Sequence, residues 1–413
     1  MLLVGYLLLL SLSVFLLIRR KLLRWDLVSA AAALFLLLTF LLRYAARDRV
    51  TGDYSMFLYP WVQFFRENGG FVGLGQPLGN YNVPYLYFLA LFSYLPFSEL
   101  HLIKLLSVCF DVLLAWSCLG IVSIFSENRI VRLVAFIGAL FLPTVMLNGA
   151  LWGQCDSIFT ALAVLSLYLA LTGKPYGAAA AIGASLAFKL QAVFVLPVFG
   201  ILLFAGKVRF RHLLAAPAVY LFMILPAVFA GRPFLDTLLF YFSNATSAGA
   251  GLNYNSCSMY AFPFMTGDAA VLSRVGILAA GALVAAVYLV FFLRRDRITD
   301  DVILGAAALF AVGIPFLLPH MHDRYFFPAD VLTFVYAMVR LRRFPIPFLV
   351  SIASLLGYHA YLRLAYFCPM WYGSAALVLA LVMLFVCVFA PLFQKRKPAA
   401  SEAAEDRTEA SDT

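Results

Sequence analysis

From Leu2 to Phe393 the chain is a train of apolar runs separated by short polar joints, and this pattern constrains its fold more than any motif. The runs fall at 2–18, 27–42, 102–125, 131–147, 155–172, 176–189, 191–206, 213–231, 269–293, 302–318, 325–341, 345–364 and 371–393. Each is near the length that a bilayer requires, or somewhat shorter. With 64% hydrophobic residues, 12% charged residues and 40 Phe, the chain has more apolar surface than a soluble core can hide. Lipid is therefore its solvent. In hydrocarbon only structures that satisfy their own backbone groups survive, so the predicted fold class is all-α, a polytopic membrane helical bundle of about 13 transmembrane helices.

Charge fixes the orientation. The net charge of +10 sits in short basic clusters between apolar runs, the pattern of cytoplasmic loops. No basic face or nucleic-acid motif accompanies it, which argues against nucleic acid as a partner. Arg19, Arg20, Lys21 and Arg24 follow the first run rather than precede it, the wrong polarity for a cleavable signal peptide. The first run is thus read as a span with its N-terminus outside, and residues 44–83 as the first large external loop. Clusters at Arg129/Arg132, Lys174, Lys207/Arg209/Arg211, Arg294/Arg295/Arg297, Arg340/Arg342/Arg343 and Lys395/Arg396/Lys397 are then all cytoplasmic. Pro84 to Pro96 breaks the alternation; short and rich in Tyr and Phe, it is read as a helix lying at the outer interface, with an ordinary short span as the alternative. Residues 1–393 form one integral membrane domain, and 394–413, rich in Lys, Pro, Ala, Glu and Ser, are expected to be a disordered cytoplasmic tail. The six cysteines show no CxxC or His-paired spacing and read as small membrane residues. With no Gly-rich phosphate loop and no soluble catalytic domain in the sequence, an active site has to be built from loops and helix ends.

This topology sends the polar residues to one face. They are Asp53, Asn80 and Asn82, the stretch Trp152-Gly153-Gln154-Cys155-Asp156, Lys189 with Gln191, the Asn/Tyr/Ser-rich loop 241–262, and His320-Met321-His322-Asp323-Arg324-Tyr325. An unpaired charge in hydrocarbon costs about 2.5–3.5 kcal/mol, so charges at span ends mark a cavity or a site. Asp53 is the leading candidate for chemistry, either as a general base or as the N-cap of an amphipathic helix Tyr54–Phe65. Arg324 and the two histidines suit a phosphate, with Asp323 orienting them; the plainer reading is a salt-bridged helix cap. A metal held by His320 and His322 is disfavoured, because an i, i+2 pair diverges on a helix. Lys189, between two short runs, either meets an anionic lipid head or snorkels to the interface. Asp156 is a second carboxylate or the N-cap of a helix beginning near Ser157. Asp111, inside the 102–125 run, is expected to pair with a neighbouring helix. Asn244-Ala245-Thr246 matches a glycosylation sequon, a pattern frequent by chance.

The order of these motifs is familiar. An external Gly-Asp-Tyr (52–54), an aromatic helix leading into Pro-Tyr-Leu-Tyr (84–87), an external Trp-Gly-Gln-Cys-Asp-Ser (152–157), Phe-Lys-Leu-Gln (188–191) and a late His-Asp-Arg-Tyr (322–325) together resemble the GT-C superfamily of polytopic glycosyltransferases. Within it the chain resembles bacterial proteins similar to GPI-anchor mannosyltransferases. The likeness extends over roughly residues 30–370. It implies transfer of a hexose, with mannose suggested, from a polyprenyl-phosphate donor to a glycolipid, polysaccharide or protein acceptor. The setting it implies is the outer face of a bacterial cytoplasmic membrane; no cofactor is expected, with a divalent metal left open. It further implies that Asp53, the acidic residue of the first external loop, is the base or acceptor-orienting group. Lys189 and Arg324 are then the cations that meet the leaving phosphate, Asp156 a possible second carboxylate, and Trp152, Gln154, Asn80, Asn82, Gln191, His320, His322 and Asp323 substrate contacts. Tyr54 stands where some members carry a second acid, which weakens a metal at this position. Two other readings are a flippase or transporter of lipid-linked sugars, which should present polar groups to both faces and some two-fold repetition, and a structural subunit, which would not need Asp53.

Overall fold

The computed structural model describes residues 2–245 and 251–394. The expected tail beyond Gln394 and the Thr246 that completes the sequon lie outside these residues. The protein is an all-α helical bundle. An N-terminal hairpin, α1 (Leu2–Arg19) and α2 (Leu27–Ala45), is followed by a π-helical turn (Tyr54–Leu58), α3 (Tyr59–Glu67) and α4 (Val83–Ser93). Next come α5 (Glu99–Phe125), α6 (Arg129–Phe141), the short α7 (Pro143–Val145) running into a second π-helical turn (Met146–Trp152), α8 (Asp156–Leu171) and α9 (Pro175–Phe188). The second half holds α10 (Val198–Phe204), α11 (Phe210–Leu213), α12 (Ala215–Phe229), α13 (Phe234–Leu238), α14 (Phe240–Ala245), α15 (Ala269–Leu293), α16 (Asp300–Leu317), α17 (Phe327–Val339), α18 (Pro345–Arg363) and α19 (Trp371–Phe393).

All thirteen apolar runs are helical over most of their length. Among the described residues eight helices are long and apolar enough to cross a membrane, or nine if the bent pair Arg129–Phe141 and Pro143–Trp152 counts as one span. The other four runs, at Asp156–Leu171, Pro175–Phe188, Leu190–Phe204 and Phe327–Val339, are apolar but shorter. The expected thirteen crossings therefore require 9 + 4, with all four short helices spanning. Burial separates inner from outer helices: 83% of the α16 span is buried but only 22% of that of α15. The outer helices carry their leucines and phenylalanines outward, as at Leu278 and Phe222, the surface expected against lipid tails.

The segment read as an interfacial helix is α4. Its 11 residues rise only about 16 Å at 1.5 Å each, too little to cross a bilayer alone. It does not lie on the surface, however: Val83, Tyr85, Leu86, Leu89, Ala90 and Phe92 are buried, and it packs against α3, α5, α9 and α12. Apolar residues on every side of this helix leave no polar face for water, so the first large loop closes over it. Leu58, Trp61, Val62 and Phe65 from the preceding segment complete this second, smaller core.

Three breaks in helical regularity position the polar residues. Pro143 lacks the N–H that would continue the α6 ladder, and the chain bends by 42° there. The π-turn after it ends at Gly153, whose φ of 83° suits glycine. Helix α9 ends at Lys189 in an extended conformation (φ −155°, ψ 135°). Finally, a two-residue parallel ladder pairs β1 (Asn253–Tyr254) with β2 (Met321–His322), Asn253 opposite Met321 and Tyr254 opposite His322. The 320–322 segment is thus a strand entered through a left-handed His320 (φ 59°), not the helix that the sequence suggested.

Inside the bundle the expected partner of Asp111 is Arg43 of α2, 3.1 Å away, with both side chains fully buried. Arg43 also donates to the Leu140 carbonyl at 2.8 Å, and Ser157 donates to Asp111, so one ionic node ties α2, α5, α6 and α8. Removing one member of such a pair strands the other in a medium that cannot solvate it. Asp111→Ala is expected to destabilise the fold by about 3–5 kcal/mol, whereas Arg43→Met combined with Asp111→Leu should recover most of that loss. Unfolding of the detergent-purified variants measures both.

Candidate active site

Asp53 lies at the first π-turn with helical dihedrals, and its side chain caps nothing. The carboxylate is instead held by three donors from distant segments. Its Oδ2 accepts from Trp152 Nε1 at 3.0 Å and from Gln154 Nε2, and its Oδ1 from the Tyr361 hydroxyl at 2.6 Å. The Asp53 N–H donates back to the same hydroxyl at 3.0 Å, which fixes the tyrosine in turn. A carboxylate has about four lone-pair sites; three are used, and the fourth, on Oδ1, stays available. The donors are themselves braced: Trp152 stacks on Tyr361 at 4.2 Å, Tyr81 donates to Gln154 Oε1 at 3.1 Å, and Thr51 donates to the Trp152 carbonyl at 2.9 Å. The arrangement suits a fixed proton acceptor and not the helix cap that the sequence also allowed.

Beside it lies a cluster of opposite charges. Arg324 approaches Asp53 at 3.7 Å, Asp156 at 3.6 Å and Asp323 at 3.5 Å, and its Nε is buried without a hydrogen-bond partner. Lys189 pairs with Asp156, whose second oxygen accepts from Asn148 Nδ2 at 2.7 Å. Asp156 therefore does not cap α8, whose cap position is Cys155; nearly all of its surface is covered by these partners. Lys189 and Arg324, the two cations expected to face a phosphate, are both already in contact with carboxylates.

Two adjoining cavities open onto this cluster. One, of about 350 Å³, is lined by Asp53, Asn80, Tyr81, Gln154, His322, Asp323, Arg324 and Tyr361. The other, of about 480 Å³, shares Asn80, Tyr81, His322, Arg324 and Tyr325 and adds Lys189, Gln191, His320 and Tyr241. Gln191 Oε1 is buried there without a partner. The expected residues thus converge, but in different ways. Asn82 is occupied structurally, capping α4 and donating to the Ala187 carbonyl at 3.0 Å. His320 turns to the Gly251 carbonyl at 2.7 Å, while His322 stacks on Tyr254 at 4.7 Å. Asp156 lines neither cavity and contacts Lys189 and Arg324, which do line them.

With this geometry in place, the comparison with known families is decisive. Residues 80–311 match the sequence model of glycosyltransferase family 87, more than half of the 413-residue chain. The chain belongs to glycosyltransferase family 87. This is a polytopic family of GT-C type, so the protein is a membrane glycosyltransferase. No curated protein and no solved structure matches it. Asp53 and the 319–325 segment lie outside the matched residues; the fold of this glycosyltransferase brings them onto Trp152, Gln154, Asp156 and Lys189 within it.

Tyr361, which holds Asp53, and Asn148, which holds Asp156 and donates to the Tyr358 hydroxyl at 3.0 Å, were not marked in the sequence, whereas Tyr81 lies in the 79–82 turn that was. For Tyr358 and Tyr361 the signal was the polar end of the 345–364 run, Gly-Tyr-His-Ala-Tyr-Leu-Arg, which reads equally as an interfacial aromatic belt.

Two neighbouring groups titrate abnormally. Burial pushes the Asp323 carboxyl up to about 7, against the pull of Arg324. Burial, with help from Arg324 and Lys189, lowers His322 to about 4. Asp323 binds its proton more tightly in the folded state, so its contribution to stability is whole below the unfolded value near 3.9 and is lost as pH rises through about 7. His322 works in the opposite sense: its contribution is present above the unfolded value near 6.5 and is lost as pH falls through about 4. Relative to the wild-type enzyme, Asp323→Asn should make the melting temperature climb more steeply with pH between about 4 and 6.5. His322→Gln should make it climb less or fall. Thermal unfolding across that range measures both slopes.

Proposed function

We propose that this enzyme transfers a hexose from a polyprenyl-phosphate donor to an acceptor hydroxyl on the external face of a bacterial cytoplasmic membrane, with Asp53 as the general base. The observation that carries the reading is the fixed Asp53 carboxylate, with one lone-pair position free, at the wall of a cavity whose other lining includes amides (Asn80, Gln154, Asn255), hydroxyls (Tyr81, Tyr254, Tyr325, Tyr361), Asp323, Arg324 and the aromatic rings of Phe57 and Trp61. Such a cavity suits a sugar. In an inverting transfer the acceptor oxygen bonds to the anomeric carbon as the bond from that carbon to the phosphate oxygen breaks. The acceptor proton passes to Asp53, and the carrier leaves as a phosphate monoester whose new charge needs a cation. Arg324, in contact with Asp53, Asp156 and Asp323, balances the carboxylates around the base, and Lys189 holds Asp156 in place. Mannose is the hexose that the family resemblance suggests, and the acceptor class is a glycolipid, polysaccharide or protein.

Asp53→Asn tests the base. The amide keeps the size of the carboxylate, with an oxygen for Trp152 and Gln154 and an NH₂ toward Tyr361, but cannot take a proton. Turnover with a synthetic polyprenyl-phosphate hexose is expected to fall by roughly 10²–10⁴-fold while the protein stays folded and retains the donor. Near-full transfer by this variant would remove Asp53 from the chemistry.

The external placement rests on the basic joints lying inside and has its own test. In a cysteine-free background, Asp48→Cys should react with an impermeant thiol reagent applied to intact cells. Trp25→Cys and Asp296→Cys should not, although all three positions are solvent-accessible in the fold. The reverse labelling pattern would put the active site on the cytoplasmic side.

A further inference from the structure

A third cavity, larger than the two at the acid cluster, lies against the same Asp53 segment. Its volume is about 840 Å³, and Tyr361, which also walls the Asp53 cavity, forms part of its lining. Its character is different. Leu147, Leu151, Leu355 and Leu362 give it an aliphatic wall, and its polar groups include the guanidiniums of Arg49 and Arg363 and the imidazole of His359. Among the described residues no carboxylate lines it.

The two arginines face the cavity without a carboxylate among the described residues to balance them. Arg43, Arg129, Arg324 and Arg343 each meet a carboxylate, whereas the guanidiniums of Arg49 and Arg363 have no ion pair among the described residues. His359 directs Nδ1 to the Ala365 carbonyl at 3.0 Å, which orients its ring beside the opening. The surface next to the cavity is apolar: Met56, Leu364, Tyr366 and Phe367 are all more than half exposed. An aliphatic hollow with two uncompensated cations and a greasy approach matches an amphiphile with one anionic head and a hydrocarbon tail.

We propose that this cavity binds the phosphate of the polyprenyl carrier, with Arg49 and Arg363 as its cations and the leucine wall against the first isoprene units. The proposal rests on the lipid-linked donor of the proposed function and assigns its head group to a place other than Lys189 and Arg324. Charge balance favours the assignment. Lys189 and Arg324 already face Asp53, Asp156 and Asp323, so a phosphate arriving there would meet three carboxylates as well as two cations. At Arg49 and Arg363 it meets cations alone, and charge-assisted contacts of this kind are among the stronger ones available to it. The carrier phosphate and the acceptor then approach Asp53 and Tyr361 from different cavities, with the sugar at the shared wall.

The test is direct binding of a fluorescent polyprenyl monophosphate to the full-length protein in phosphatidylcholine nanodiscs, read by anisotropy. Arg49→Ala and Arg363→Ala are each expected to weaken binding by roughly tenfold or more. Arg49→Lys should retain part of the affinity, and Arg47→Ala, which alters an arginine paired with Asp48, should leave it unchanged. Thermal unfolding of each variant separates lost binding from lost structure. Unchanged affinity in Arg49→Ala/Arg363→Ala, or loss confined to Lys189→Ala and Arg324→Ala, would overturn the assignment while leaving the lipid-linked donor intact. If the wild-type protein ignores polyprenyl phosphate yet transfers sugar from a nucleotide donor, the donor reading and this site fall together. Competition by phosphatidylglycerol as strong as that by unlabelled polyprenyl phosphate would reduce the cavity to a site for bulk anionic lipid, and inorganic phosphate competing equally well would deny the leucine wall any part.

Discussion

One guanidinium organises the reactive end of this protein. Arg324 stands within 4 Å of Asp53, Asp156 and Asp323, carboxylates that belong to three parts of the chain. Without it they would repel one another in a setting where burial already penalises charge. With it, and with Lys189 on Asp156, the cluster comes near to neutrality, and Asp53 can remain a fixed acceptor beside a cavity. Truncating Arg324 would therefore leave three carboxylates facing one another with only Lys189 to balance them.

The cluster exists because the helices are interrupted where they reach it. The π-turn at Tyr54–Leu58, the second at Met146–Trp152, the extended Lys189 and the left-handed His320 each turn a side chain away from the position that a regular helix would give it. Irregular backbone within an apolar bundle is tolerated where it is covered by protein or lines a cavity. Here it does both. π-turns in particular recur at functional sites, where the extra residue in the turn re-aims the side chains beyond it.

Much of this was legible in the sequence, for reasons that differ between parts. The thirteen helical runs could be read because lipid demands long apolar segments, and the Asp111 partnership because a charge inside such a segment has to be matched. Asp53, Trp152, Gln154, Asp156, Lys189 and Arg324 could be singled out because polar residues are scarce enough in this chain to stand out. What could not be read was which of them touch. Asp53 and Asp156 precede helices and so looked like caps; only the fold shows that their oxygens are spent on Trp152, Gln154, Tyr361, Asn148 and Lys189 instead. His322 sits on a strand, entered from a left-handed His320, because its ladder partner is Tyr254, some 70 residues earlier, and no local pattern encodes that pairing. Tyr361 was invisible for a further reason: a tyrosine at the end of an apolar run is ordinary in a membrane protein.

The hydrogen bond from Tyr361 to Asp53 joins residues 308 positions apart, and this bears on how the protein is made. A chain synthesised from its N-terminus inserts Asp53 early and supplies Trp152 and Gln154 about a hundred residues later, Arg324 much later and Tyr361 nearly last. The acid therefore waits through most of synthesis without its full set of partners. A product truncated before residue 361 has most of the bundle but an unfinished site, so chemical competence is deferred until all but the final helix has been made.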